Sequence, residues 1–196
     1  MINKFIFIDT ETTGTHPETN GMIQMAGSII YQEQGTDIYT PREVFDYKVK
    51  TFAADIIEDE ALLVNGITRE QIAQFPEPTV VYNNFIALLG KYCDKYNKTD
   101  KFFFVGYNAR FDMDVIRAWF KKCGDGYFGS WFYFPPIDVM NLAIMKLIDE
   151  RHKLLNFKLQ TVADYLKINH SGHYHDALAD IEVTFNMFLK LRGINQ

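Results

Sequence analysis

The chain has 196 residues, a length that usually forms one domain, and we predict a single domain over residues 1–196. Hydrophobic residues make up 47% of it and charged residues 23%, which excludes the composition of disordered proteins. The formal net charge of −5 excludes a global cationic field, so a nucleic-acid partner would have to be held by local contacts.

The cysteines and the apolar runs indicate the compartment. Cys93 and Cys123 form no CxxC pair, which argues against a zinc ribbon or a redox motif. The apolar run at residues 5–9 is too short for a signal peptide, and no stretch approaches the roughly 18 apolar residues of a membrane span. We therefore expect a cytoplasmic protein with no membrane partner.

The first part of the chain predicts strands. β-rich segments occupy residues 5–9, 22–31 and 44–49, and Gly35 and Thr36 suit a hairpin between the second and third. The first segment is almost continuously apolar, which is typical of a central strand covered on both faces.

The rest of the chain predicts helices around one further strand at residues 102–105. A capping box from Thr68 to Gln71 begins a short helix that ends before Pro76. Residues 124–136 form a loop rich in glycine and aromatic residues. Longer helices are expected over residues 79–96, 110–122, 137–148, 158–166 and 177–191. Strands followed by alternating strand and helices indicate an α/β fold with a mixed sheet flanked by helices.

Two acids follow the first strand. Asp9 and Glu11 are two residues apart, so an extended chain points both carboxylates to the same side. Hard cations such as Mg²⁺ take one or two protein carboxylates together with substrate phosphates. The alternative is a solvated strand end with a turn, since Asp, Thr and Gly are ordinary turn residues.

A second polar group spans residues 106–114, where a strand meets a helix. Polar groups at the carboxyl ends of strands line the usual ligand crevice of α/β sheets. The structural alternatives are a helix cap for Asn108 and first-turn acids for Asp112 and Asp114, which the helix dipole favours.

A third group enters the last helix. His175 and Asp180 are five residues apart and cannot share one helical face, so we place His175 in the preceding loop and Asp180 one turn inside the helix. Asp176 is the natural N-cap between them.

Taken together, the three groups resemble the DEDD exonuclease superfamily, histidine branch (DEDDh), which includes the proofreading ε subunit of bacterial DNA polymerase III. The resemblance covers roughly residues 5–190 in the family's order. Its motifs are Asp9-Thr10-Glu11-Thr12-Thr13-Gly14, Tyr107 to Asp112, and His175 to Asp180, with echoes at Gly66-Ile67-Thr68 and from Ile137 to Ala143.

The resemblance implies a ribonuclease-H-like mixed sheet of about five strands and a 3′–5′ exonuclease that releases nucleoside monophosphates. It also implies the functional residues: Asp9, Glu11, Asp112 and Asp180 as ligands of two Mg²⁺ or Mn²⁺ ions, His175 as general base, and Thr12, Asn108 and Phe111 as substrate contacts. The implied partners are the 3′ end of DNA, single-stranded or frayed, and a DNA polymerase. Packing in the core is the alternative for Phe111.

Three departures from the family pattern affect substrate preference and partner contacts more than catalysis. Gln24 stands where many relatives have an acid, Asn65 replaces the frequent His before Gly-Ile-Thr, and Tyr107 stands where His is common.

Other functions stay open at this point. The same chemistry could act on RNA, and only a contact to the 2′-OH would decide. A non-catalytic polymerase-accessory module and a structural metal-binding protein are alternatives that a turnover measurement would exclude. The aromatic loop at residues 127–134 fits a buried loop best, with a lid or a partner surface as alternatives. The acidic balance predicts a shallow salt dependence of nucleic-acid binding.

Overall fold

The computed structural model describes residues 1–168 and 177–194. Its sheet has five strands in the order β3-β2-β1-β4-β5. The first two pairs are antiparallel, whereas β4 and β5 join parallel to β1. The strands are β1 (Ile2–Thr12), β2 (Met22–Glu33), β3 (Tyr39–Lys48), β4 (Phe103–Gly106) and β5 (Ile137–Asp138).

Helices cover both faces of this mixed sheet. Two short 3₁₀ helices, Phe128–Ser130 and Ile148–Lys153, lie in the connections. The α-helices are α1 (Asp59–Asn65), α2 (Arg69–Ala73), α3 (Pro78–Tyr92), α4 (Ala109–Lys122), α5 (Val139–Lys146), α6 (Leu159–Leu166) and α7 (Ala177–Leu191). None of the helices in the described ranges is long and apolar enough to cross a bilayer.

Strand β1 lies at the centre of the sheet, as its apolar run predicts. Ile6 and Ile8 pack into the core beneath α3 and α4, whereas Phe5 and Phe7 pack into the core beneath α5, α6 and α7. Because successive side chains of a strand alternate between faces, burial on both faces requires an almost unbroken apolar run.

Several predicted elements are confirmed. Gly35 has a positive φ of 81° in the hairpin, and both hydrogen bonds of the capping box from Thr68 to Gln71 are present. The last helix has the predicted bounds.

Two predicted helices have bounds that differ from the observed ones by two residues or more, whereas those over residues 110–122 and 158–166 differ by one. The helix expected over residues 79–96 ends at Tyr92, whose carbonyl accepts a hydrogen bond from the Lys4 ammonium at 2.5 Å. Its Val80 is exposed and Val81 is buried instead. The helix expected over residues 137–148 begins only at Val139, because Ile137 pairs with Val105 in the sheet, and it ends at Lys146.

Helix α1 is absent from the predicted elements. It buries none of its residues, and Leu63 and Val64 are exposed. Such a helix lacks the one-sided apolar stripe that reveals an amphipathic helix in a sequence.

Candidate active site

The carboxyl end of β1 carries two of the expected acids. Asp9 lies opposite Ala26 and Glu11 opposite Gln24 in the antiparallel pair with β2. Both side chains follow the same alternation as Phe5 and Phe7, so they lie on the face of the sheet that α7 covers. Phe185 of α7 packs edge-on against Phe7, with ring centroids 5.3 Å apart.

The loop after β1 is tightly packed behind these acids. A Cβ atom on Gly14 would lie 2.4 Å from both Asn20 Nδ2 and Glu58 Oε1, closer than any side chain tolerates. Asn20 Nδ2 donates to Glu58 Oε1 at 3.0 Å. A side chain at position 14 would therefore have to displace Asn20 or Glu58 and break the hydrogen bond between them.

Asp112 reaches the same end of the sheet from the opposite face. It lies in the first turn of α4, which begins just after β4, the parallel neighbour of β1. Its Oδ1 accepts two hydrogen bonds from Thr10, one from the backbone N–H at 3.0 Å and one from the hydroxyl at 2.8 Å. Asp112 is only 3% exposed. Thr10 therefore fixes a buried carboxylate directly beside Asp9 and Glu11.

Burial and neighbouring negative charges raise the pKa values of Asp9 and Asp112. Burial raises the pKa of Asp9 well above its usual range, and the negative charges of Asp112, Glu11 and Asp180 raise it further. Burial likewise raises the pKa of Asp112 to about 7; the hydrogen bonds from Thr10 oppose this shift, and the charge of Glu11 adds to it. A cluster of mutually repelling carboxylates needs a proton or a cation between its members.

The donor set fits hard divalent cations. All four predicted ligands offer carboxylate oxygens, the atoms that Mg²⁺ and Mn²⁺ prefer. Within residues 1–168 and 177–194, no three His, Cys, Asp or Glu side chains converge closely enough to hold a metal ion by themselves. Mg²⁺ does not need a complete protein cage, because it keeps several waters and takes the remaining oxygens from substrate phosphates.

Asp138 supports the turn before α4, and the sequence analysis does not single it out as a site residue. Its Oδ1 accepts the backbone N–H of Asn108 at 3.1 Å and that of Met140 at 3.0 Å. Asn108 has a positive φ of 64° and precedes α4 at the cap position, but its side chain does not cap the helix. The Asn108 side chain is exposed instead. The hydroxyl of Tyr107 donates to the carbonyl of Phe157 at 2.7 Å, which anchors the same turn.

Two further predicted substrate contacts lie around the acids. Thr12 follows Glu11 at an irregularity of β1; its hydroxyl donates to Gly14 O at 2.7 Å, and its carbonyl accepts from Asn65 Nδ2 at 2.8 Å. Phe111 is partly buried and packs against the core beneath α4, which agrees with core packing as the alternative to a substrate contact.

The third motif is only partly described. Asp180 lies in the first turn of α7, and its charge acts on Asp9. His175 and the predicted cap Asp176 lie outside the described residues. The structure therefore places Glu11, Asp112 and Asp180 around Asp9, close enough for their charges to act on it.

The comparisons with known proteins agree with one another. A family model described as Exonuclease (RNase_T) matches residues 6–188. DNA polymerase III PolC-type from Thermotoga maritima is 28% identical over 191 residues, which are 95% of this chain and 12% of that protein. The 3′-5′ exonuclease DinG from Staphylococcus epidermidis is 25% identical over 190 residues, 96% of this chain and 18% of that protein. The chain thus spans less than a fifth of the length of these relatives.

Solved structures of exonuclease I share the fold. E. coli exonuclease I in complex with a dT13 oligonucleotide superposes with a TM-score of 0.71 at 25% identity, covering 96% of this chain and 41% of that one. A zinc-bound form of the E. coli exonuclease I complex with single-stranded DNA gives a TM-score of 0.72 at 24% identity, with 97% and 41% coverage. The mixed five-stranded sheet with helices on both faces is thus the ribonuclease-H-like fold, as predicted.

Proposed function

The chain belongs to the RNase_T exonuclease family of the DEDD superfamily, and from this membership and its carboxylate cluster we propose that it is a metal-dependent 3′–5′ exonuclease releasing nucleoside monophosphates from DNA. The observation that carries the proposal is the position of Asp9, which lies close enough to Asp112, Glu11 and Asp180 for their negative charges to raise its pKa. Four acids gathered at the carboxyl end of β1 destabilise the metal-free protein, and a catalytic metal site accounts for them.

Each acid has a defined part in this proposal. Asp9, Glu11, Asp112 and Asp180 would hold two Mg²⁺ or Mn²⁺ ions, with Thr10 keeping Asp112 in place. Such ions, when bound, stabilise negative charge on the attacking and leaving oxygens of an in-line displacement. The exposed side chain of Asn108 and the backbone near Thr12 would contact the terminal nucleotide, and the partly buried ring of Phe111 would contribute its free edge.

DNA is favoured as the substrate over RNA. The relatives include proteins named DNA polymerase III PolC-type, and the exonuclease I structure of similar fold holds a DNA oligonucleotide. The same relatives support a DNA polymerase as a partner, since matching segments lie within much longer polymerase chains.

The test is an incubation of the purified protein with Mg²⁺ and 5′-labelled single-stranded DNA, duplex DNA and RNA, each with a free or a blocked 3′ end. We expect a ladder of shortened products from free 3′ ends only, fastest on single-stranded DNA. The proposal would be rejected by internal cuts, by shortening of blocked ends or by the absence of any cleavage. Faster shortening of RNA than of DNA would identify RNA as the preferred substrate.

His175 is proposed as the general base by resemblance alone. Its unperturbed pKa of about 6.5 suits a group that takes a proton from water near neutral pH. We expect His175→Ala to lower kcat by about 10²- to 10⁴-fold, the usual contribution of a general base. Single-turnover rates measured between pH 5 and 9 check this, and a variant that keeps the wild-type rate and pH profile would contradict the assignment.

Thr10 is proposed as a positioning residue for Asp112. Thr10→Val removes the hydroxyl hydrogen bond while the shape of the side chain is kept, and we expect kcat to fall about tenfold. Because that hydrogen bond lowers the pKa of Asp112, its loss should also shift the acid limb of the pH–rate profile to higher pH. Thr10→Ser keeps the hydroxyl and should retain the wild-type kcat and the wild-type pH–rate profile.

A matched control for Thr10 is Thr79→Val, at an exposed position of α3. A similar loss of kcat in Thr79→Val, or an unchanged pH profile in Thr10→Val, would show that Thr10 has no special part in the site.

A further inference from the structure

A groove at the far end of β4 from the carboxylates combines positive charge with exposed aromatic rings. It has a volume of about 720 Å³ and is lined by Lys95, Tyr96, Lys98, Lys101, Tyr127 and Ser130, which we call the lysine–tyrosine groove. Tyr96 is 84% exposed and Tyr127 is 73% exposed. Proteins that bind single-stranded nucleic acid commonly combine exposed aromatic rings with positive charge, since bases stack on the rings and phosphates pair with lysines.

Two lysines of this groove are held by contacts other than ion pairs. Within the described residues, none of Lys95, Lys98 and Lys101 forms an ion pair with a carboxylate. Lys95 Nζ lies 5.3 Å from the ring centroid of Tyr96, and Lys101 Nζ donates to Gly129 O at 2.5 Å.

Three acids lie in the same region, and two of them accept backbone N–H groups of the groove tyrosines. Asp100 pairs with Lys4, Asp94 Oδ1 accepts the backbone N–H of Tyr96 at 3.0 Å, and Asp125 Oδ1 accepts that of Tyr127 at 2.5 Å. Counted with Asp94 and Asp125, whose hydrogen bonds to backbone N–H groups leave their charges in place, the three lysines give the groove a net charge of 3 − 2 = +1, on a chain whose net charge is −5.

The aromatic loop connects this groove to the candidate active site. At the groove end, Phe102 N–H donates to Trp131 O and Tyr133 N–H donates to Phe102 O, both at 2.9 Å. At the site end, Gly106 pairs with Asp138. Residues 131–138 therefore run alongside β4 from the groove to the site. From Lys101 at the groove to position 107, which the register of β1 and β4 places level with Asp9, the chain advances six residues, a distance of about 20 Å at about 3.3 Å per strand residue.

Cations and an exposed ring also lie midway along this path. Phe134 is 63% exposed, and the guanidinium groups of Arg110 and Arg117 lie 5.5 and 5.9 Å from its ring centroid. The two arginines share a single carboxylate, Asp114, at 2.6 and 2.9 Å, which leaves one positive charge in excess.

We propose that the lysine–tyrosine groove binds single-stranded nucleic acid upstream of a 3′ end held at the carboxylates, with Phe134 and Arg110 contacting the strand in between. This inference rests on the proposed exonuclease function. At about 3.4 Å per stacked nucleotide, the 20 Å path corresponds to about six nucleotides. Short oligonucleotides therefore end before the groove, and longer ones reach it.

Binding is measured first, by fluorescence anisotropy in EDTA, with labelled 4- and 20-nucleotide oligo-dT. We expect the 20-mer to bind at least about tenfold more tightly, since stacking of even one base accounts for that factor. The double variant Tyr96→Ala/Tyr127→Ala should lose this advantage, and Tyr96→Phe/Tyr127→Phe should keep it. An oligo-U 20-mer should bind like the DNA, because stacking and phosphate pairing do not read the 2′-OH.

The charge contribution has its own matched variants. For Lys95→Gln/Lys98→Gln we expect the slope of log K against log salt to become shallower by about 1.4, at about 0.7 for each lost phosphate contact. The control Lys146→Gln/Lys190→Gln removes two exposed lysines outside the groove and should retain the wild-type slope.

Hydrolysis in Mg²⁺ separates this inference from the exonuclease proposal. The ratio of kcat/KM for the 20-mer to that for the 4-mer should exceed about ten in the wild type and fall toward one in the groove variants. The groove proposal would be overturned if wild type and groove variants gave equal ratios of kcat/KM, or if the wild type bound both lengths with equal affinity. It would also be overturned if polyglutamate displaced the labelled 20-mer as effectively as unlabelled oligo-dT does. Groove-dependent binding without shortening of either oligonucleotide would overturn the exonuclease proposal and leave the groove as a binding site.

Discussion

Asp112→Asn should abolish nearly all turnover, lowering kcat by about 10³-fold or more with saturating Mg²⁺, because a neutral amide cannot hold the cations that stabilise the transition state. The fold should survive, since the amide oxygen can accept the same two hydrogen bonds from Thr10. Single-turnover hydrolysis of a 5′-labelled oligonucleotide measures the first effect, and circular dichroism the second.

The matched control for Asp112 is Asp149→Asn, the same chemical change at an exposed acid of the second 3₁₀ helix. It should keep kcat within about twofold of the wild type, as surface substitutions away from a site do. Activity of Asp112→Asn near that of the control would refute the assignment of Asp112 as a metal ligand.

Stability of the metal-free protein should fall as the pH rises from about 4 to above 7. The pKa of Asp112 is about 7 in the folded protein, against 3.8 for an ordinary Asp, and that of Asp9 is also raised. In this range the unfolded chain releases protons that the folded protein still holds, so the free energy of unfolding decreases with pH. For a chain of this size each lost kcal/mol lowers Tm by about 2–4 °C.

Divalent cations should reverse this loss. Because they bind the deprotonated carboxylates, Mg²⁺ or Mn²⁺ should raise Tm more at pH 8 than at pH 5. Asp112→Asn should show a smaller pH dependence and a smaller metal effect than both the wild type and Asp149→Asn. Thermal unfolding in EDTA and in 10 mM metal, at about five pH values, provides the comparison; a pH-independent Tm difference between wild type and Asp112→Asn would contradict the account.

Local pattern was enough to predict the elements that carry the acids. The apolar run of β1 and the spacing of Asp9 and Glu11 are properties of one segment, and the structure places both at the carboxyl end of the central strand. For Asp112, local pattern predicts only a first-turn acid after a strand, a position that the helix dipole favours by itself; its role as a metal ligand comes from the resemblance to the DEDD superfamily.

The interactions that hold the site together were not predictable, because their partners are distant along the chain. Thr10 and Asp112 are 102 residues apart, and the backbone N–H of Asn108 meets Asp138 only once β5 pairs with β4. β5 itself has two residues and forms through that pairing, so no periodicity reveals it. The same reasoning applies to the lysine–tyrosine groove, whose charges come from residues 95–101 and whose second ring comes from Tyr127.

The net charge of the sequence also does not predict how charges are distributed over the fold. A value of −5 excludes a cationic field over the whole surface, but it does not show where individual charges lie. The fold gathers four acids at one end of β4. At the other end it gathers three lysines that form no ion pair with a carboxylate in the described ranges, which suits one strand end at the acids and its upstream phosphates at the lysines.

The most direct test of the central claim is the fate of oxygen when a single-stranded oligonucleotide is hydrolysed with Mg²⁺ in water enriched in ¹⁸O. Direct attack of water at the 3′-terminal phosphodiester, with no protein nucleophile, predicts nucleoside 5′-monophosphates that carry one ¹⁸O and shortened oligonucleotides that carry none. No such product should form in EDTA or with Asp112→Asn. Longer fragments with ¹⁸O at internal cut sites, a trapped covalent enzyme–nucleotide intermediate, or the same products from Asp112→Asn would contradict the account.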